Sequence, residues 1–222
     1  MSFEKFFRHL CSSFDEENIS FLVLRNYDLL PISFGNDIDL LVLPSQVKKT
    51  REVIGRVASV NNFSLTKERM RFNFQSLELH SNSNSQSIIK IDIFSGLTKG
   101  WVTYMSVDEI LDKKIIRECF YIPTIEIEIY CLILKEMYMY GNVRGKYKSY
   151  FKQKLPYIDL DTLKSLLLSH LTKTSAEFIL YNLNALYEVK HYPKPKLLLL
   201  FDFKNIVKWF YLNVQDKISF RR

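Results

Sequence analysis

Two stretches of this chain place an acid in the middle of an apolar run, and that restricts the fold more than any other feature. Asp39 sits inside Ile38-Asp39-Leu40-Leu41-Val42-Leu43, and Asp92 inside Ile88-Ile89-Lys90-Ile91-Asp92-Ile93-Phe94. Short apolar runs rich in Ile, Val and Leu and bounded by turn residues read as buried strands. An unpaired carboxylate among such neighbours costs several kcal/mol, so each acid needs a partner. Asp37 precedes Asp39 by two positions. Alternation along a strand sends both carboxylates to one side of the sheet, while Ile38 and Leu40 point into the core. If strands 37–43 and 88–94 are neighbours, three carboxylates meet on one patch.

Such a patch has two readings. Like charges a few ångströms apart repel, and burial makes this worse. Mg²⁺ removes that cost, because it takes hard oxygen ligands and is held by carboxylates together with substrate phosphates. Three carboxylates suffice for two metal ions about 3.5–4 Å apart, the arrangement that serves an in-line phosphoryl displacement, and Asp92 would then also be the base for an attacking hydroxyl. The alternative is structural acids paired with Lys or Arg. Residue 92 placed far from residues 37 and 39, or any of the three buried against an arginine, would remove the enzyme reading; Asp37 also fits a turn after Gly35-Asn36.

The chain has 222 residues, three cysteines and a formal net charge of +7. Three widely spaced cysteines without a C-x-x-C read as buried thiols, not as a disulfide frame or a zinc site. The start, MSFEKFFRHL, carries charges where a signal peptide has an apolar core, so a cytoplasmic protein is expected. The basic balance favours an anionic partner. Nucleic acid fits poorly, because an acidic patch repels a polyanion unless metal is present. A D-x-D glycosyltransferase is disfavoured as well, since no nucleotide-binding βαβ half precedes residue 37.

All six glycines lie at or before Gly145, and helical periodicity dominates beyond them. We read two domains, an α/β domain over 1–122 and a helical one over 123–222. In the first, Phe3, Phe6, Phe7, Leu10, Cys11 and Phe14 form one helical stripe. Phe21–Leu24 reads as a strand, and Ser45 as the cap of a helix bearing Val53, Ile54 and Val57. Residues 70–79 alternate as one strand with a slip, and 81–85 form a hairpin connection into strand 88–94. Ser106-Val107-Asp108-Glu109 is a capping box. Beyond Pro123, helices are expected over 124–140 and near 146–154, 162–171, 174–188 and 198–214.

The stretch Leu24-Arg25-Asn26-Tyr27, then Leu30-Pro31 and Gly35-Asn36-Asp37-Ile38-Asp39-Leu40-Leu41-Val42, with Ile91-Asp92 about fifty residues on, resembles the nucleotidyltransferase-fold superfamily. DNA polymerase beta and the kanamycin and minimal nucleotidyltransferases belong to it. Within it, the chain is similar to proteins of bacterial surface-polysaccharide loci. The resemblance implies an α+β fold, a nucleotidyltransferase-like mixed β-sheet flanked by helices and followed by a C-terminal α-helical domain. It implies that Asp37, Asp39 and Asp92 are catalytic and hold two Mg²⁺ ions that carry an NTP. Arg25 and Asn26 stand where the superfamily has Gly-Ser; Arg25 offers a charge and Asn26 a hydrogen bond to a phosphate, or Arg25 is a rim salt bridge.

A basic stretch runs through Arg144, Lys146, Lys148, Lys152 and Lys154 with no acid between Met137 and Ile158. Charge runs are usually solvated faces. The functional reading is a cationic wall for a triphosphate, with Arg144 and Lys146 the better candidates and Lys135 a third. The tail from Lys196 holds six basic and two acidic residues; it closes a helical core or lies on anionic lipid at the inner membrane face. The resulting expectation is nucleotidyl transfer from an NTP to a hydroxyl or phosphate acceptor, such as a sugar or polyol. The alternatives are a same-fold transferase using a CDP-activated donor and a non-catalytic nucleotide- or polyanion-binding module.

Overall fold

The phenylalanine stripe forms the first helix, α1 (Phe3–Glu16), whose start is capped by the Ser2 hydroxyl accepting from the Lys5 amide. The computed structural model describes residues 2–83, 87–99, 102, 103, 105–140, 143–181 and 183. Phe6, Phe7, Leu10 and Phe14 are wholly buried. Each contributes about 1.5–3 kcal/mol by leaving water. Strand β1 (Phe21–Val23) follows, and then β2 (Ile38–Val42), every residue of which is buried.

Helix α2 (Val47–Val60) starts later than expected. Pro44 opens a single 3-10 turn that takes in Ser45, and the cap position of α2 falls to Gln46, which makes no side-chain capping bond. The Gln46 side chain is engaged elsewhere, accepting from the Ser20 amide and donating to the Asn18 carbonyl, both at 2.9 Å. The strand expected over 70–79 is two strands, β3 (Phe63–Arg71) and β4 (Phe74–Ser81), which turn at Phe72-Asn73. Asn73 takes the left-handed conformation (φ 55°), which Asn tolerates better than most residues. The irregularity lies in β3, between Leu65 and Lys67, and not in the 70–79 segment. Strand β5 (Ile88–Phe94) returns antiparallel to β4.

The sheet runs β1-β2-β5-β4-β3, with β2 and β5 parallel and the other pairs antiparallel. This gives an α+β protein with a five-stranded mixed sheet. Ile38, Leu40, Leu77, Leu79, Ile91 and Ile93 face the core that α1 and α2 close. Alternation turns Asp39, Asp92 and Ser76 to the opposite face. Two short strands, β6 (Thr98–Lys99) and β7 (Val102–Thr103), pair with each other. Helix α3 (Val107–Asp112) begins as the capping box predicts, with the Ser106 hydroxyl accepting from the Glu109 amide at 3.2 Å, and packs against β2. A hairpin absent from the sequence reading follows, β8 (Ile115–Arg117) and β9 (Phe120–Ile122), with β9 beside β1.

The chain divides into two compact units. The first comprises residues 1–97 and 106–124, and the second residues 98–105 and the chain from Ile125 onward. In the second, α4 (Ile125–Tyr140), α5 (Gly145–Lys154), α6 (Leu160–His170) and α7 (Lys173–Tyr181) follow in order. Tyr130, Ile133, Phe151, Leu163 and Leu167 are buried there. The helix expected over 198–214, and with it the basic tail, lies outside the described residues. Among the described residues no helix is long and apolar enough to cross a membrane.

Candidate metal centre

The parallel pairing of β2 with β5 places Asp39 opposite Asp92. Paired residues on neighbouring strands share a face, so the two carboxylates lie side by side. Asp37, immediately ahead of β2, joins them: one carboxylate oxygen from each acid lies within 4.8 Å of the other two. Asp39 is 1% exposed and Asp92 6%, so two of the three charges are almost fully withdrawn from water.

Two cations stand against them. Arg25 follows β1 and pairs through its Nε with Asp39 Oδ2. Lys90, two residues before Asp92 on the same face of β5, places its Nζ 3.4 Å from Asp92 Oδ2 and 3.6 Å from Asp37 Oδ2. The Ser76 hydroxyl, opposite Asp92 on β4, donates to Asp92 Oδ1 at 2.6 Å. Burial pulls the Lys90 ammonium down in pKa, but the charges of Asp92 and Asp37 more than reverse this, so it stays firmly protonated.

The condition that counts against a metal, an arginine buried against one of the acids, is thus met at Asp39. It is met at one oxygen only. Asp39 Oδ1 is buried and has no hydrogen-bond partner among the described residues. Burial pushes the Asp39 carboxyl above its ordinary pKa; the charge and hydrogen bond of Arg25 work against that without cancelling it, and the charges of Asp37 and Asp92 add to it. Among the described residues three carboxylates face two cations, a formal excess of one negative charge. An orphaned carboxylate oxygen, excess negative charge and a hard-oxygen donor set together fit a divalent cation.

The other expected contacts fall as follows. Asn26 is exposed in a left-handed turn conformation (φ 59°). Lys135 and Arg144 belong to the second unit. The Arg144 guanidinium grips Glu136 through two bonds of 2.9 and 2.7 Å, and its amide adds a third of 3.0 Å. Glu136 is wholly buried, so this pair has a structural partner already. Lys135 Nζ stands 6.0 Å from the centre of the Tyr147 ring. Lys146 lies on α5, with its side chain outside the described residues.

Sequence reasoning missed Ser76 and Lys90. Lys90 had a signal, since a residue two before a strand acid shares its face. Ser76 had none, because its partner became visible only once β4 was separated from β3.

No protein-family model and no curated protein matches the chain. Among solved structures it is similar to JHP933 from Helicobacter pylori, with 16% identity and a TM-score of 0.44 over 97% of this chain and 89% of that one. It is also similar to a candidate nucleotidyltransferase of H. pylori, with 13% identity and a TM-score of 0.36 over 83% of this chain and 91% of that one. Likeness at this level leaves a functional reading to rest on the carboxylates.

Proposed function

We propose that the chain is a Mg²⁺-dependent nucleotidyltransferase that moves a nucleotidyl group from an NTP to a hydroxyl or phosphate acceptor, with Asp37, Asp39 and Asp92 holding the metal. The observation that carries this reading is the register of β2 on β5, which sets Asp39 beside Asp92 and leaves Asp39 Oδ1 without a donor. Bound there, Mg²⁺ would neutralise charge developing on the polyphosphate and hold it in line.

The residues of this chain supply the rest. Ser76 and Lys90 hold one oxygen each of Asp92 and so fix the plane of that carboxylate. Asp92 would then accept the proton of the acceptor hydroxyl through Oδ2, the oxygen that the longer Lys90 contact leaves more open. Arg25 holds Asp39 in place; its charge and the exposed Asn26 are the proposed contacts for nucleotide phosphates. A sugar or polyol acceptor in surface-glycan assembly, and a cytoplasmic site where NTPs are available, belong to the same proposal.

Calorimetry with Mg²⁺ and each NTP, on the wild type and on Asp39→Asn, tests it. NTP binding should require Mg²⁺ and be lost in the variant, together with pyrophosphate release, while the variant keeps a cooperative thermal melt. Metal-independent NTP binding that Asp37→Ala leaves unchanged would instead identify a polyanion-binding module. Phospho-alcohol transfer from a CDP-activated donor uses the same acids, and a donor panel separates it from nucleotidyl transfer by its products.

A further inference from the structure

The edge strand β3 changes faces partway along, and the change turns cations towards the side of the sheet that carries the carboxylates. Phe63 and Leu65 at its start pack against the core. Regular alternation would keep residues 67, 69 and 71 on that same side. The irregularity between Leu65 and Lys67 shifts the register by one, so that Lys67 lies opposite Glu78, Arg69 opposite Ser76 and Arg71 opposite Phe74. A slip of one residue moves every later side chain to the other face. The contacts agree with this: Glu68 turns to Arg51 of α2, on the core side, and Lys67 Nζ meets Glu78 Oε1 at 3.2 Å. Bulges next to active sites re-aim side chains in this way.

Arg69, Ser76, Asp92 and Asp39 therefore form one line across β3, β4, β5 and β2, on a single face of the sheet. Arg71, Phe74 and Phe94 form the next line. Lys67 is engaged by Glu78, whereas the exposed side chains of Arg69 and Arg71 have no ion-pair partner among the described residues. Two strand spacings, about 10 Å, separate β3 from β5. Phe74 and Phe94 are half-buried with ring centroids 5.1 Å apart, and they make an apolar floor beside that interval.

The order of the strands gives the two flanks of the carboxylates to different substrates. Arg25 and Asn26, the nucleotide contacts proposed above, adjoin β1, on the far side of the acids from β3. Asp92, the proposed base, stands between them and the arginines, so β4 and β3 flank the acceptor. We propose that the acceptor is phosphorylated, and that Arg69 and Arg71 bind the phosphomonoester of a small sugar or polyol phosphate whose hydroxyl lies at Asp92. This rests on the nucleotidyl transfer proposed above. Guanidinium groups match a phosphate in charge and in paired hydrogen bonds. The carbon skeleton, lying over Phe74 and Phe94, keeps the phosphate away from the carboxylates that would repel it.

The test uses the full chain, with glycerol 3-phosphate and inorganic phosphate as probes and glycerol and chloride as controls. Phenylglyoxal modification of Arg69 and Arg71, mapped by peptide mass spectrometry, should be slowed by both phosphates. Glycerol, and chloride at equal ionic strength, should not slow it. By calorimetry, Arg69→Gln and Arg71→Gln should each weaken glycerol 3-phosphate binding about tenfold. Lys67→Gln removes a cation from the same strand face but should leave that affinity unchanged. Mg²⁺-dependent NTP binding should be equal in the wild type and in the double variant Arg69→Gln/Arg71→Gln. The proposal is overturned if neither phosphate slows the modification, or if Lys67→Gln weakens the ester as much as Arg69→Gln does. Loss of NTP binding in the double variant would give the arginines to the donor, and overturns it too. A wild type that binds no NTP with Mg²⁺, yet is still protected by the ester, refutes nucleotidyl transfer instead, so the two failures are told apart.

Discussion

At Asp39 a carboxylate that is 1% exposed has one oxygen bonded to Arg25 and the other bonded to nothing among the described residues. Removing one partner of a buried ion pair costs about 3–5 kcal/mol, because the other charge is left buried and alone. Arg25→Ala should therefore lower the stability of the metal-free protein by about 3 kcal/mol. Asp39→Asn should cost much less, since the amide carries no charge to bury. If the carboxylates bind Mg²⁺, the ion replaces the charge that Arg25→Ala removes, so Mg²⁺ should raise the melting temperature of that variant more than it raises the wild type. Thermal melts with and without Mg²⁺ read both effects, and equal Mg²⁺ shifts would assign Asp39 to a structural pair with Arg25. Asp39 and Asp92 were legible in the sequence because an acid inside an aliphatic strand has few solutions. Ser76 was not, because a serine in a strand is common and only the register with Asp92 gives it meaning.

Strand β3 shows why an element can be invisible to pattern reading. From Lys67 to Arg71 it is exposed at every residue, so the alternation that betrays a half-buried strand is absent, and the pattern read over 70–79 reaches only the last two residues of β3. What fastens this edge is polar. Arg51 of α2 holds Glu68 through two bonds of 2.9 and 2.8 Å, and Gln75 of β4 donates to the same carboxylate. The Arg51 hydrogen bond lowers the pKa of Glu68 below its ordinary 4.5, with burial opposing and the Arg51 charge and Gln75 assisting. A lowered folded pKa contributes stability that is present above the unfolded value and lost as pH falls through the folded one. Glu68→Gln should accordingly cost about 1 kcal/mol near pH 7. The gap should close as the pH is taken below about 4.5. Urea denaturation of both proteins across that range measures it, and a gap independent of pH would mean that packing, and not charge, fastens the edge.

For the whole molecule, the sequence pattern separates a part rich in strands from a helical one, but it could not show that residues 98–105 cluster with the later helices instead of with the sheet. Short two-residue strands carry too little pattern for that. The two units invite separate tests, because each has its own buried charge pair. In the second unit Glu136 is wholly buried and depends on Arg144 for three hydrogen bonds. Arg144→Ala strips the two side-chain bonds and leaves a carboxylate in the core, a loss of about 3–5 kcal/mol. Its effect should fall on the helices from Ile125 onward, whereas the carboxylates that would take Mg²⁺ all belong to the first unit. Scanning calorimetry of Arg144→Ala should then show an early transition insensitive to Mg²⁺ and a later one that Mg²⁺ raises. Hydrogen exchange should assign the early loss of protection to α4 and α5. If Arg144 instead serves mainly as a phosphate contact, its replacement leaves α4 protected and weakens only the binding of NTP, so the protection pattern decides between the two roles.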